Sequence, residues 1–170
     1  MTATHLAVLV LVAAAAGFDI RSRRIPNVLT FGAAAAALVF HAVSGGSSGA
    51  AASAAGWAIG LALFFPIFAL RGMGAGDVKL LAAVGAWLGP VAVIWVALLT
   101  AVSGGVLAVV VAVAHGYLAT AVQNIRLLLT HWRVNGVRPV REISLDGAAG
   151  PRLAYAVPIS LGTVMTLWLS

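Results

Sequence analysis

The chain has 170 residues, of which 62% are hydrophobic and 8% charged, with a net charge of +6 and a mean hydropathy of +1.09. Soluble domains carry about a quarter charged residues, so this composition excludes that class and indicates an integral membrane protein. Zero cysteine excludes disulfides and thiolate metal sites. The basic balance reflects scarce acids rather than nucleic-acid binding, since no dense basic tract interleaved with aromatic residues is present.

The first apolar run predicts a membrane helix over residues 5–20. No basic residue precedes it, and Arg21, Arg23 and Arg24 follow it, the reverse of a secretory signal. It is therefore read as a retained span with its amino terminus outside. Pro26 suits the first turn of a helix, and a second span covers 27–43. Ser44 to Gly49 is an uncharged turn, ahead of a third span over 50–70. Residues 71–79 form a charged, glycine-rich break. The following stretch holds two spans, 78–89 and 91–115, with the turn at Gly89-Pro90 and a rival turn at Ser103-Gly104-Gly105. Residues 116–152 are the only long polar segment, read as an inner loop. Within it Leu118, Val122, Ile125, Leu129 and Trp132 recur at helical spacing. This part either continues the fifth span or lies as an amphipathic helix on the membrane surface. Asp146-Gly147 and Gly150-Pro151 mark turns, and a sixth span covers 153–169, with a kink expected at Pro158. The expected fold is all-α: one polytopic membrane domain over 1–170, of about six transmembrane helices, with both termini outside.

Charge distribution supports that topology. With the amino terminus outside, the inner segments 21–26, 71–79 and 116–152 carry three, two and five Lys/Arg, which is all ten in the chain. This is a positive-inside pattern, and it places the basic loops against anionic lipid head groups. Trp57, Trp87, Trp95 and Trp168 fall toward the outer ends of their spans, as an aromatic belt does.

Only four acidic residues are present. Two of them, Asp19 and Asp77, sit against long apolar runs, where an ionisable group is costly unless used. The topology puts both at the inner ends of their helices. Two carboxyls held close cannot both ionise cheaply, so they share a proton. Such a pair can activate water with one member and polarise a carbonyl with the other. Gly74 and Gly76 flank Ala75 and allow close backbone approach and unusual dihedrals beside Asp77. Plainer roles exist for each residue. Asp77 could cap the helix that follows it, and Asp19 could pair with Arg23 or Arg24. Lys79 is a topological charge or a carboxylate counter-ion. Glu142 and Asp146 pair with Arg138, Arg141 or Arg152. His5, His41, His115 and His131 show no metal spacing, and neither a metal nor another cofactor is expected.

Asp19 with the arginines after it and Ile25-Pro26-Asn27 resembles the first signature of the type IV prepilin peptidases. Gly74-Ala75-Gly76-Asp77-Val78-Lys79-Leu80 resembles their second, the GxGD motif, and Ala154 to Gly162 is similar to their last span. The resemblance implies an aspartic endopeptidase of the bacterial inner membrane. It would cut the short basic leader from prepilin or pseudopilin substrates at the cytoplasmic face. Asp19 and Asp77 match the catalytic positions, and Gly74, Gly76 and Lys79 the loop that shapes the site. The absence of an insert between the first two spans, and of cysteine, resembles the short Flp/Tad-type form without methyltransferase activity. Two other readings use the same aspartates: an archaeal-type preflagellin peptidase, and a proton- or cation-coupled transporter. A non-catalytic scaffold for a secretion or pilus machine is a further alternative. The expected partners are the substrate helix and membrane lipid, with no nucleic acid.

Overall fold

The computed structural model describes residues 2–138 and 153–169. The pairing expected of Glu142 and Asp146, and the turns at 146–147 and 150–151, lie outside the described residues. The described chain is six α-helices. Helix α1 (Ala3–Ser22) is capped by the Thr2 hydroxyl, which accepts the His5 N–H at 3.3 Å. It stops at Arg23, whose left-handed backbone (φ 55°) turns its N–H onto the Asp19 carbonyl.

Helix α2 (Asn27–Ala69) follows Pro26 and has 43 residues. Straight, it would run about 64 Å, twice the hydrocarbon thickness of roughly 30 Å. It is instead two arms, broken at Gly46 (φ 63°, ψ −149°), a conformation that a side chain rarely adopts. The arms are antiparallel. A Cβ on Gly49 would strike the His41 carbonyl, and Ser53 and Trp57 face Leu38 and Phe31 across a shared cavity. The two arms correspond to the spans expected at 27–43 and 50–70, but only Gly46 is non-helical in the six-residue turn expected between them.

Helix α3 (Ala75–Leu88) has 14 residues, about 21 Å. Its Leu80 to Val84 segment has no exposed surface at all. An apolar helix buried all round lies inside the protein rather than against lipid. Both arms of α2 enclose it. The second arm approaches through glycines: a Cβ on Gly56 would strike the Gly85 carbonyl, and one on Gly60 would lie 2.6 Å from the Leu81 carbonyl. Such small-residue contacts let helix backbones close up where no hydrophobic force drives them together. The first arm is tied by the His41 ring, whose Nε2–H donates to the Trp87 carbonyl at 3.0 Å.

Gly89 (φ 85°) ends α3, and Pro90 opens α4 (Pro90–Ala114). The turn therefore falls at Gly89-Pro90; Ser103 to Gly105 lies inside α4, where the Ser103 hydroxyl donates to the Thr100 and Pro158 carbonyls. Gly116 (φ 64°) then separates α5 (Leu118–Asn135), so α5 is its own helix and not a continuation of the fifth span. Helix α6 (Ala156–Leu169) starts three residues later than the expected span. Pro158 sits in its first turn, where an N–H has no acceptor within the helix, so the kink expected there is not needed. Three helices, α1, α2 and α4, are long and apolar enough to cross a membrane.

Gly56→Ala should lower thermal stability in detergent by about 1–3 kcal/mol, the usual penalty of overpacking. Gly105→Ala, whose Cβ would meet nothing within 4 Å, should not. Equal melting temperatures for the two would contradict the α2–α3 packing.

Candidate active site

The last turn of α1, the first turn of α3 and the start of α6 converge. Asp19 is carried by α1 and is 7% exposed. Its Oδ2 accepts the Ala156 N–H at 3.1 Å. Ala156 is the first residue of α6, where backbone donors have no helical partner and the helix dipole favours negative charge. The carboxyl expected to pair with Arg23 or Arg24 thus has a backbone donor from the other end of the chain instead.

Asp77 is the third residue of α3 and is 9% exposed. Its Oδ2 accepts the Gly74 N–H at 3.2 Å, and its own N–H donates to the Gly74 carbonyl at 3.2 Å. The carboxyl thus caps the start of α3 through the Gly74 N–H, while the second bond is the backbone closure of the first turn, so the plain capping role is real. It uses one carboxyl oxygen.

Asp19 and Asp77 line one cavity of about 420 Å³, together with Arg23 to Asn27, Gly74 to Gly76 and Lys79. Neither glycine has an unusual backbone. Gly74 is extended (φ −76°), and Gly76 lies within α3. Their smallness is what the site needs. A Cβ on Gly74 would come 3.2 Å from Asp77 Oδ2, and one on Gly76 3.2 Å from the Ile25 side chain. Among the described residues Lys79 forms no ion pair with either carboxylate. Its Nζ donates to Asn27 Oδ1 at 2.9 Å and lies 5.3 Å from the Phe31 ring centroid.

The electrostatics separate Asp77 from an ordinary surface carboxyl. It lies outside the three membrane-span helices, and its pKa is pushed up to about 7. Burial is the main cause and the Asp19 charge the second, partly opposed by the Gly74 N–H. A carboxyl that holds a proton near neutral pH beside a second carboxyl is the arrangement acid–base chemistry requires.

A family model described as the type IV leader peptidase family matches residues 6–109. The chain belongs to that family. No curated protein and no solved structure matches it. It is therefore a peptidase, a hydrolase of the leader-peptidase type, built on apolar membrane helices. The match includes both aspartates and ends inside α4. Helices α5 and α6 lie beyond the matched residues, and so does the donor to Asp19.

Two site neighbours carried no signal strong enough to single them out. Ala156 acts through its backbone, which no side-chain motif reveals. Tyr155 precedes it, stacks edge-on against Phe64 at 6.4 Å and seats its hydroxyl against Gly104. Pro158 was the available clue, since proline favours the first turn of a helix and so locates its start.

The chain has three aspartates, Asp19, Asp77 and Asp146, so carboxyl-labelled aspartate gives a three-signal NMR titration. The Asp77 signal should titrate near pH 7. In Asp19→Asn it should move lower, because one raising cause is gone. It should still stay above the ordinary 3.8, because burial remains. An Asp77 signal at the ordinary value in the native chain would contradict the buried geometry.

Proposed function

We propose that Asp19 and Asp77 are the catalytic pair of an aspartic endopeptidase that removes the short basic leader of prepilin-like proteins. The observation that carries this reading is the single cavity lined by both carboxyls, each nearly buried. In the proposed cycle the ionised member takes a proton from a water molecule as that water attacks the scissile carbonyl carbon. The protonated member gives its proton to the carbonyl oxygen. The tetrahedral diol then collapses: the C–N bond breaks, the nitrogen is protonated by the carboxyl that received the water proton, and one hydroxyl proton returns to the other carboxylate. The pair ends as it began, sharing one proton. Asp77, with its raised pKa, is suited to hold that proton. Gly74, Gly76 and Lys79 shape the cavity: the glycines leave room at Asp77 and Ile25, and Lys79 is fixed on Asn27 and Phe31.

The positive-inside charge pattern supports a cytoplasmic active site in a multi-pass protein of the bacterial inner membrane. The signatures at 19–27 and 74–80 are compatible with prepilin, pseudopilin and preflagellin substrates alike; the alanine-rich usage of the chain favours the bacterial ones. Lack of cysteine supports the short form without methyl transfer. The transport reading gains nothing from the geometry. A relay needs polar groups spread through the membrane depth, and here both carboxyls line one cavity.

Co-expression with candidate prepilins and preflagellins, read by mass spectrometry of the substrate amino terminus, tests the proposal. Wild type should remove the leader of a prepilin. Asp19→Asn and Asp77→Asn should each cut the rate at least about 10²-fold with unchanged membrane levels. A preflagellin cut in its place would move the substrate assignment to the archaeal type. Either variant retaining near-full activity would sink the pair, and lowered abundance in place of lowered rate would favour the scaffold role.

The rate of the purified enzyme should also be bell-shaped in pH. It should fall at low pH as both carboxyls protonate, and on the alkaline side from about pH 7 as Asp77 loses its proton. A flat profile between roughly pH 4 and 9 would count against a shared proton.

A further inference from the structure

The bond that holds Asp19 belongs to one peptide group, the one joining Tyr155 to Ala156. Its N–H donates to Asp19 Oδ2 at 3.1 Å. Its C=O accepts the Ile159 N–H at 3.2 Å, closing the first turn of α6. A peptide group is planar, so its N–H and C=O turn together. Whatever fixes this plane fixes the donor that Asp19 receives. Helix ends fray, and a donor at the first residue of a helix needs a further hold. From Pro158 onward the neighbours of α6 supply one. The Ser103 hydroxyl donates to the Pro158 carbonyl, the Ser160 hydroxyl donates to the Val12 carbonyl, and Gly162 lies close against Thr100. All three holds come after the peptide that matters.

The side chain directly before that N–H is Tyr155. Its ring meets Phe64, on the second arm of α2, edge-on, with centroids 6.4 Å apart and planes at 76°. Its tip lies on α4 at Gly104, where a Cβ would come 3.1 Å from the hydroxyl oxygen and 3.4 Å from Cζ. The ring therefore spans from α2 to α4 beside the Asp19 donor. The Asp77 charge reaches the phenol, so Tyr155 stands near both halves of the pair. Its hydroxyl makes no hydrogen bond among the described residues. The hold is made by the ring.

We propose that Tyr155 is a positioning residue of the peptidase: its ring, seated between Phe64 and Gly104, sets the Tyr155–Ala156 peptide so that the Ala156 N–H meets Asp19. This role presumes the catalytic reading of Asp19 and Asp77. Tyr155 is not among the residues lining the aspartate cavity, so it acts through the backbone and not on the substrate. With the ring gone the peptide can turn away. Asp19 then loses its donor, and the ionised form that activates water is less favoured. The charged groups around the cavity, Asp77, Arg23, Arg24 and Lys79, stay as they are.

The test uses the full chain in proteoliposomes with a prepilin that the wild type processes. Tyr155→Phe keeps the ring and should hold kcat within about twofold of wild type. Tyr155→Leu removes the ring and should lower kcat at least about tenfold with KM within about twofold, since a misplacement of about 1 Å can cost 10²-fold. The acid limb of its rate profile should move to higher pH, because the carboxylate that must be ionised has lost a donor. Gly104→Ala probes the same contact from α4. Its added Cβ presses on the Tyr155 hydroxyl, and kcat should fall at least about threefold. Tyr155→Phe in the same chain removes the pressed atom and should return kcat to within about twofold of wild type. Three results would overturn the role of Tyr155 while leaving the peptidase standing. The first is a loss in Tyr155→Phe as large as in Tyr155→Leu, which would move the role to the hydroxyl. The second is a Tyr155→Leu defect confined to KM, or one with an unmoved acid limb. The third is a Gly104→Ala enzyme as fast as wild type, or one that Tyr155→Phe does not restore. No cleavage of any prepilin or preflagellin by wild type would remove the peptidase reading, and the role of Tyr155 with it.

Discussion

A carboxylate in an apolar protein must be given donors or remain protonated, and the arrangement of this fold follows from housing two of them. Each is met by a backbone N–H at the start of a helix. Gly74 serves Asp77 within the same turn, whereas Ala156 serves Asp19 across 137 residues of sequence. The second contact makes the site depend on the whole bundle. Helix α6 must return to α1 for Asp19 to be satisfied, and the Ser160 hydroxyl, which donates to the Val12 carbonyl at 3.0 Å, holds the same pair of helices one turn further on.

Helix α3 holds the other half. It is the most enclosed element, and its enclosure raises the Asp77 pKa more than the neighbouring charge does. Packing and chemistry are therefore coupled. The Gly56–Gly85 and Gly60–Leu81 contacts close α2 over α3, the helix whose first turn carries Asp77. Leader-peptidase family membership fits this design, since cutting a peptide bond at a membrane requires acid–base groups whose protonation is set by the protein rather than by bulk water.

Much of this was legible in the chain. Arg21 to Pro26 closes one helix and opens the next, and Gly89-Pro90 breaks another, because Gly and Pro act through local backbone geometry. Asp19 and Asp77 stand out because acids are so few, and the structure brings them to one cavity. Other features were not legible for definite reasons. A helix buried in protein and one facing lipid have the same apolar composition, so α3 reads from sequence only as an unusually short span. The start of α6 and the Ala156 donor are backbone features with no residue-type signature. Gly74 and Gly76 suggested close backbone approach and unusual dihedrals; the dihedrals are ordinary, and the closeness is to the Asp77 carboxyl and the Ile25 side chain, whose places no local sequence gives. Lys79 looked like a counter-ion because its neighbour in sequence is a carboxylate; its neighbours in space are Asn27 and Phe31.

The central claim is that the ends of α1 and α3 present their aspartates to one shared cavity. The chain has no cysteine, so Asp19→Cys/Asp77→Cys carries the only two thiols, and a short bifunctional thiol reagent can report their proximity by mass. The account predicts an intramolecular cross-link in the folded, membrane-inserted protein, and none after denaturation before labelling. Separate labelling of both cysteines in the folded protein, with no bridge between them, would contradict it.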